Sequence, residues 1–379
     1  MDLHQDHHRA TTTRPGGRSQ LDSQLPDEAV GLGRPVTPTP MPAVRRGGQV
    51  WIAASLPTAQ LQATLSRRLV RHGFTSLEDE PGIYLLRVED TVGAALALLQ
   101  RVLPGELAKL DLAVLSSELE PDVEHVLAEL EPAPRALARL EAQWLVPMLA
   151  QRRLVTYLQP VFDGAGATYG EESLVRGLAP LGELIDGGRI FEAARDLELE
   201  ATLDRMLVEQ GIEAFASHDA PRTRLFLNVS RASLERPEGI VGPALRAAKH
   251  ARLSPGRVVL ELSHADQHPM PLVLRAVEVF RAAGFGVGLD DIGLADTAEE
   301  LVERARPDVV KLHQALVRKA PRSRSTSVRV AGLAAVAERV GARVVAKGIE
   351  STEELAQAQN LGVDLFQGFL LAHPRPGEL

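Results

Sequence analysis

The sequence has no cysteine, only 4% aromatic residues, no block of like charge and no long apolar run. Without cysteine the chain can form no disulfide bond, use no thiolate nucleophile and hold no cysteine-ligated zinc ion. No apolar stretch approaches the roughly 18 residues of a transmembrane helix, and no segment has the pattern of a secretory signal. The sequence therefore predicts a cytoplasmic protein without a membrane span.

The charge is acidic and dispersed, with a net value of -8 over 379 residues. This distribution favours solubility and lacks the basic patch of a nucleic-acid-binding surface, so we expect no direct nucleic-acid binding. An apolar content of 45% is ordinary for a globular protein. The length allows two domains and a tail.

Composition and periodicity divide the chain into four segments. Residues 1–47 are rich in His, Arg, Thr, Pro and Gly, which predicts a disordered tail. Residues 48–120 alternate strand and helix patterns and predict a small α/β domain. Residues 121–150 are rich in Leu and Ala and predict a helical connector. Residues 151–379 form the second domain.

The second domain repeats one pattern. Eight β-rich runs, mostly separated by amphipathic helices, predict a (β/α)8 barrel: LVTYLQPVF, ATYGEESLVR, TRLFLNVS, RVVLELS, FGVGLDD, DVVKL, ARVVAKG and VDLFQGF. In such a barrel the functional side chains lie at the carboxyl ends of the strands. The fold class is therefore α/β, with a smaller N-terminal α/β domain before the barrel.

The predicted strand ends carry polar residues where packing alone would favour Val or Leu. They are Glu172, Arg176, Asn228, Glu261, Asp290, Asp291, Lys311, Lys347, Glu350 and Gln367. Each has an ordinary explanation, and Asp291 could simply cap a following helix. Taken together, the oxygens of Glu172, Asn228, Glu261 and Asp290 predict a site for Mg²⁺ or Mn²⁺, with Asp291 available to a second ion.

The ordered segments QPVFD, EESLVRG, NVS, LELS, LDDIG, VVKL, VAKGIE and FQGF resemble the EAL-domain family of cyclic-di-GMP phosphodiesterases over residues 150–379. The resemblance implies a modified barrel with one antiparallel strand, and domains that often form homodimers. It makes Glu172, Asn228, Glu261 and Asp290 ligands of a first metal and Asp291 a ligand of a second. Lys311 would orient the attacking water, with Glu350 a further catalytic candidate. Gln159, Arg176 and Gln367 would contact the substrate.

Three residues depart from the family pattern within the motifs of the predicted catalytic site. Lys347 replaces the first glutamate of VAEGVE, so that an ammonium stands where the family has a carboxylate. His264 replaces the glutamate that braces the loop after the aspartate pair, and His313 replaces the aspartate that follows the lysine. Because an ammonium competes with a divalent metal for carboxylates, we expect hydrolysis to be impaired.

Residues 81–105 resemble the strand and following helix of a GGDEF-type nucleotide cyclase domain. The glycine and acidic residues that would hold nucleotide and metal are missing, so the resemblance implies an inactive remnant serving as a sensor or dimerisation module.

Three functions stay open. A degenerate EAL protein would regulate by binding cyclic-di-GMP or a protein partner, with no metal required. An active phosphodiesterase would open cyclic-di-GMP to the linear dinucleotide pGpG with Mg²⁺ or Mn²⁺. An unrelated barrel enzyme acting on a phosphorylated metabolite rests on fold analogy alone.

Overall fold

The computed structural model describes residues 50–77, 80–88, 97, 99–101, 105, 107–116, 119–217 and 222–377. The predicted tail, residues 1–47, lies outside these ranges, as does most of the helix implied by the GGDEF-type resemblance of residues 81–105. Among the described residues, no helix has the length and apolar character needed to cross a membrane.

The first sheet has five antiparallel strands in the order β2-β3-β1-β4-β5. Its strands are β1 Val50–Ser55, β2 Thr75–Ser76, β3 Ile83–Val88, β4 Asp111–Ser116 and β5 Glu131–Pro132. Helix α1, Ala59–Arg71, connects β1 to β2, while β3 lies between these two strands in the sheet. This is a split β-α-β arrangement. The short strands β2 and β5 were not predicted, since two residues carry no readable period.

Three helices lead from this sheet to the barrel: α2 Val123–Glu129, α3 Ala133–Glu141 and α4 Leu145–Ala150. Helix α3 turns Ala133 and Ala136 into the core of the first sheet. On its opposite side Arg135 forms an ion pair with Glu198, at the end of the first barrel helix. The connector thus packs between the two sheets.

The barrel consists of eight strands, closed in the order β6-β14-β13-β12-β11-β10-β9-β7 by pairing of β7 with β6. They are β6 Leu154–Asp163, β7 Thr168–Leu178, β9 Arg224–Val229, β10 Val258–Ser263, β11 Gly286–Ile292, β12 Val309–Leu312, β13 Arg343–Ala346 and β14 Leu365–Phe366. Strand β6 is antiparallel to both of its neighbours, and all other barrel pairs are parallel. The predicted barrel and its antiparallel strand are confirmed.

Two short strands extend the barrel sheet, and helices surround it. Strand β8, Leu184–Asp186, pairs with β7, and β15, Arg375–Pro376, pairs with β6. The helices are α5 Gly187–Asp196, α6 Glu200–Ala216, α7 Arg231–Glu235, α8 Glu238–His250, α9 Met270–Ala282, α10 Ala298–Ala305, α11 Gln314–Lys319, α12 Arg324–Val340 and α13 Thr352–Asn360. A capping box formed by Ser351 and Glu354 begins α13.

Replacing Gly368 by alanine is expected to lower the free energy of unfolding by about 3 kcal/mol. A Cβ at this position would overlap the backbone nitrogen and oxygen of Ile349, which no side-chain rotation can relieve. Gly164→Ala is the matched control, because nothing lies within 4 Å of its Cβ position. Denaturant unfolding of the two variants measures the difference, and equal stabilities would contradict the backbone contact.

Candidate active site

The site arises from the alternation of side chains along the barrel strands. Six apolar residues fill one layer of the barrel interior: Val161, Phe226, Val259, Val309, Val345 and Leu365. Because every second residue of a strand faces the same side, the next inward position on each strand lies one layer nearer the mouth. Those positions are Gln159 on the antiparallel strand, then Asn228, Glu261, Lys311, Lys347 and Gln367. The polar layer is therefore continuous with the core beneath it.

Lys311 lies at the centre of this layer and is fully buried. Its Nζ is 2.8 Å from Glu172 Oε2 and 2.7 Å from Glu261 Oε2. Glu172 also accepts hydrogen bonds from Asn228 Nδ2 at 2.9 Å and from Gln367 Nε2 at 2.9 Å. Two of the predicted acidic residues, Glu172 and Glu261, thus converge on the Lys311 ammonium.

A second ammonium bridges the aspartate pair. Lys347 Nζ is 2.7 Å from Asp290 Oδ1 and 2.8 Å from Asp291 Oδ1. Its side chain is 18% exposed, so it points into the site and not toward solvent. Asp291 has a left-handed backbone with φ 56°, which is strained for a residue with a Cβ and turns its carboxylate beside that of Asp290. Asp291 caps no helix, so that alternative interpretation is wrong.

Burial and charge separate the acidities of these groups. Burial alone would raise the pKa of Glu172, but Lys311, Lys347 and the hydrogen-bond donors lower it to about 2. Burial raises the pKa of Glu261 to about 8, despite the opposing charge of Lys311. Burial also raises the pKa of Asp290. The surrounding carboxylates raise the pKa of both lysines against the effect of burial, so both remain ammonium ions.

Glu261→Gln is expected to remove a pH-dependent loss of stability. The carboxyl has a pKa of about 8 in the folded chain and 4.5 as its ordinary value. Between these values the unfolded chain has released the proton that the folded chain keeps, so stability falls as pH rises through this window. The lowered pKa of Glu172 makes stability fall as pH falls. This effect occurs only below its ordinary pKa of 4.5, outside the window.

Thermal unfolding at pH 5 and pH 8 in the presence of a chelator tests this expectation. The melting temperature of Glu261→Gln should change less between pH 5 and pH 8 than that of the wild type. The variant's gain in stability relative to the wild type should be largest at pH 8. Parallel curves for the two proteins would show that Glu261 does not hold a proton in the folded state.

Two cavities flank the cluster. The larger, about 680 Å³, is lined by Asn228, Asp290, Arg195, Arg231 and His264, and the smaller, about 310 Å³, by Gln159, Lys347, Gln367 and Phe369. Glu172 and Asp291 line both. Both volumes lie in the range of small-molecule sites.

Residues 142–374 match the family model described as EAL domain. The chain belongs to the EAL domain family. In Escherichia coli (strain K12), the probable cyclic di-GMP phosphodiesterase PdeA is 25% identical over 231 residues, which are 60% of this chain and 31% of that protein. The bifunctional diguanylate cyclase/cyclic di-GMP phosphodiesterase MucR of Pseudomonas aeruginosa is 23% identical over 234 residues, 61% of this chain and 34% of MucR. The chain spans about a third of the length of these relatives.

Solved EAL structures have the same fold. The FimX EAL domain from Pseudomonas aeruginosa bound to c-di-GMP superposes with a TM-score of 0.55 at 22% identity. The match covers 61% of this chain and 96% of that one. The family match begins at residue 142, so the resemblance of residues 81–105 to a GGDEF-type domain stays a prediction.

The EAL site of this chain does not fit a pair of divalent ions. Four carboxyl groups and two ammonium groups make up the cluster, and each lysine contacts two of the carboxyl groups. Within the described ranges, no three histidine, aspartate or glutamate side chains are arranged to hold a metal ion. One feature favours a single cation, since Glu261 Oε1 is buried and accepts no hydrogen bond. The position beside Asp291, where a second ion would bind, is occupied by Lys347 Nζ.

Arg176 and Glu350, two of the predicted site residues, lie at the rim of the EAL site. Arg176 Nη1 donates to Val175 O and Nη2 is 3.6 Å from Asp186, although Arg176 lines a cavity of about 620 Å³ together with Asn228 and Asp291. The half-exposed Glu350 forms an ion pair with Arg318.

The two histidines that depart from the EAL pattern also lie at this rim. His264 Nε2 is 3.9 Å from Asp291 Oδ2, and its side chain is about half exposed. His313 caps α11, with Nδ1 accepting from the amide of Ala315. Neither histidine reaches the layer of Glu172 and Lys311.

Sequence reasoning missed Asp204, a fully buried carboxylate on α6. Its Oδ2 accepts from the amide and hydroxyl of Ser230, at 2.9 and 2.6 Å, and from the hydroxyl of Ser233 at 2.5 Å. It thereby fixes the turn that follows Asn228. The available signal was an aspartate on the apolar face of an amphipathic helix, a position where a charge needs partners.

Proposed function

We propose that this chain is a cyclic-di-GMP signalling protein whose EAL site binds the nucleotide and hydrolyses it poorly or not at all. The observation that carries the proposal is the position of Lys347 Nζ, 2.7 and 2.8 Å from Asp290 and Asp291. An ammonium in this place supplies the positive charge that the aspartates need, and it cannot ionise a water as a metal does.

The cavities support nucleotide binding. A cyclic dinucleotide presents two bases on either side of a phosphodiester ring, and Glu172 and Asp291 border two cavities, each of which can take one base. Arg195 and Arg231 line the larger cavity and offer positive charge to phosphate. Phe369 lines the smaller cavity with a half-exposed ring that can stack on a base.

Calorimetry tests binding. We expect cyclic-di-GMP to bind with the same affinity in Mg²⁺ and in a chelator, because the charge that replaces the metal is part of the chain. Phe369→Ala should weaken binding by about tenfold through loss of base stacking. Leu181→Ala is the matched control, an exposed apolar residue that does not line either cavity flanking the cluster. Absence of binding would leave only regulation through a protein partner.

The alternative is an active phosphodiesterase that opens cyclic-di-GMP to pGpG. The convergence of Glu172 and Glu261 on Lys311, with one carboxylate oxygen of Glu261 left without a partner, favours it. A turnover assay with Mg²⁺ or Mn²⁺ decides between the two functions. Linear product that disappears in Asp290→Ala would establish the alternative.

We propose roles for the other segments of the chain as well. Residues 48–120 would sense a signal or mediate dimerisation, residues 121–150 would connect them to the domain at 151–379, and a protein partner or a second copy would receive the output. The cytoplasm is the compartment in which such signalling would act.

A further inference from the structure

The loop that follows the aspartate pair, residues 293–297, is held by two charged side chains from other elements. Asp266 Oδ2 accepts from the amide of Gly293 at 3.0 Å and from that of Ala295 at 3.3 Å. The backbone oxygen of Asp266 accepts from the hydroxyl of Thr297 at 3.2 Å.

Arg329 of α12 holds the opposite side of the loop. Its Nη1 donates to the carbonyl oxygens of Gly293 at 3.1 Å and Leu294 at 3.0 Å, and its Nη2 forms an ion pair with Asp296. Four backbone groups of three successive residues are thus bound by one carboxylate and one guanidinium. Hydrogen bonds to charged groups are stronger than those between neutral groups.

The base of the loop is packed as tightly. Gly293 has φ 110°, and a Cβ there would lie 2.6 Å from Leu316 Cδ1 and 2.8 Å from Leu333 Cδ1. Asp291 precedes it with its strained left-handed backbone. A strained residue keeps its conformation only when its surroundings determine it. Only Ile292 separates the loop from Asp291, so the fixed position of the loop limits how Asp291 can turn.

We propose that Asp266 and Arg329 are positioning residues, which clamp the 293–297 loop and thereby hold the Asp291 carboxylate against Lys347. The clamp makes the lysine bridge a permanent feature of the site. Its consequence for nucleotide binding rests on the proposed function, but the clamp itself does not.

Two measurements on the full chain test the clamp without nucleotide. The first is hydrogen exchange of the peptide spanning the loop, which reports whether its amides stay bound. The second is acetylation of Lys347 by acetic anhydride relative to the exposed Lys319, which reports whether the carboxylates still hold its ammonium. A purely structural role of Asp266 would change the melting temperature without selectively changing Lys347.

Asp266→Ala is expected to speed loop exchange and relative Lys347 acetylation by about tenfold each. Arg329→Met should act in the same direction, because it removes the donors and keeps the apolar stem. Asp266→Asn keeps an acceptor oxygen and should restore most of the protection. Asp308→Ala is the matched control, since Asp308 accepts from the amide of Val287 at the other end of the same strand, and it should change neither value.

Unchanged Lys347 acetylation in Asp266→Ala and Arg329→Met would overturn the proposal. If Asp266→Ala fails to fold, Arg329→Met decides alone, with Asp266→Asn as its folded companion. Because neither measurement uses nucleotide, such a failure is distinguishable from a failure of the chain to bind cyclic-di-GMP.

Discussion

Lys347→Glu is expected to convert the site into one that binds Mn²⁺ or Mg²⁺ and hydrolyses cyclic-di-GMP. The change removes the ammonium that bridges Asp290 and Asp291 and returns a carboxylate to the same position. Three adjacent carboxylates repel one another unless a cation lies among them, so the variant should gain metal affinity. Metal-dependent formation of pGpG should rise at least about a hundredfold.

Calorimetric titration with Mn²⁺ and chromatography of the products measure the two gains separately. Lys347→Met is the matched control, because it removes the ammonium without supplying a ligand and should gain less metal affinity. Metal binding without hydrolysis in Lys347→Glu would mean that another departure from the family pattern, His264 or His313, also disables the chemistry. If Lys347→Glu binds no metal, Lys347 is not what excludes the ion.

Lys311→Met is expected to lower the free energy of unfolding by about 3–5 kcal/mol, because it leaves the buried carboxylate of Glu172 without the ammonium that contacts it. Lys311 is fully buried, and its Nζ contacts both Glu172 and Glu261 within 2.8 Å. Methionine fills a similar volume, so the loss reflects charge and hydrogen bonds more than packing. Without the ammonium, the pKa of Glu172 should rise from its low value.

Denaturant unfolding measures this effect, and two companions isolate its cause. Adding Glu172→Gln to Lys311→Met should recover part of the lost stability, since the carboxylate that Lys311 keeps ionised becomes a neutral amide. Lys319→Met, at an exposed position, should change stability by no more than about 0.5 kcal/mol. A Lys311→Met protein as stable as the Lys319→Met protein would contradict the buried ion cluster.

The barrel could be predicted because its strands are long enough to show their pattern. Each predicted run contains a strand of the structure, and alternation along the strands brought Asn228, Glu261 and Gln367 to one layer. Two-residue strands such as β15 could not be predicted, because a partner distant in sequence defines them. Contacts such as that of Gly368 with Ile349 could not be predicted for the same reason.

Side-chain partners set a second limit on prediction. Lys347 could be identified as an intruding cation from its motif, but not that it bridges both aspartates, because a lysine stem can also extend to solvent. Arg176 and Glu350 were assigned to the site by their motifs, and the structure pairs them with Asp186 and Arg318 at its rim. Asp204 and Asp266 bind turns formed by distant segments, which no local pattern reveals.

The most direct test is a crystal of the chain soaked in Mn²⁺ and measured at the manganese absorption edge. We expect the Lys347 nitrogen between Asp290 and Asp291, with no anomalous peak between these carboxylates. An anomalous peak there, with the Lys347 side chain turned out of the site, would contradict the lysine bridge.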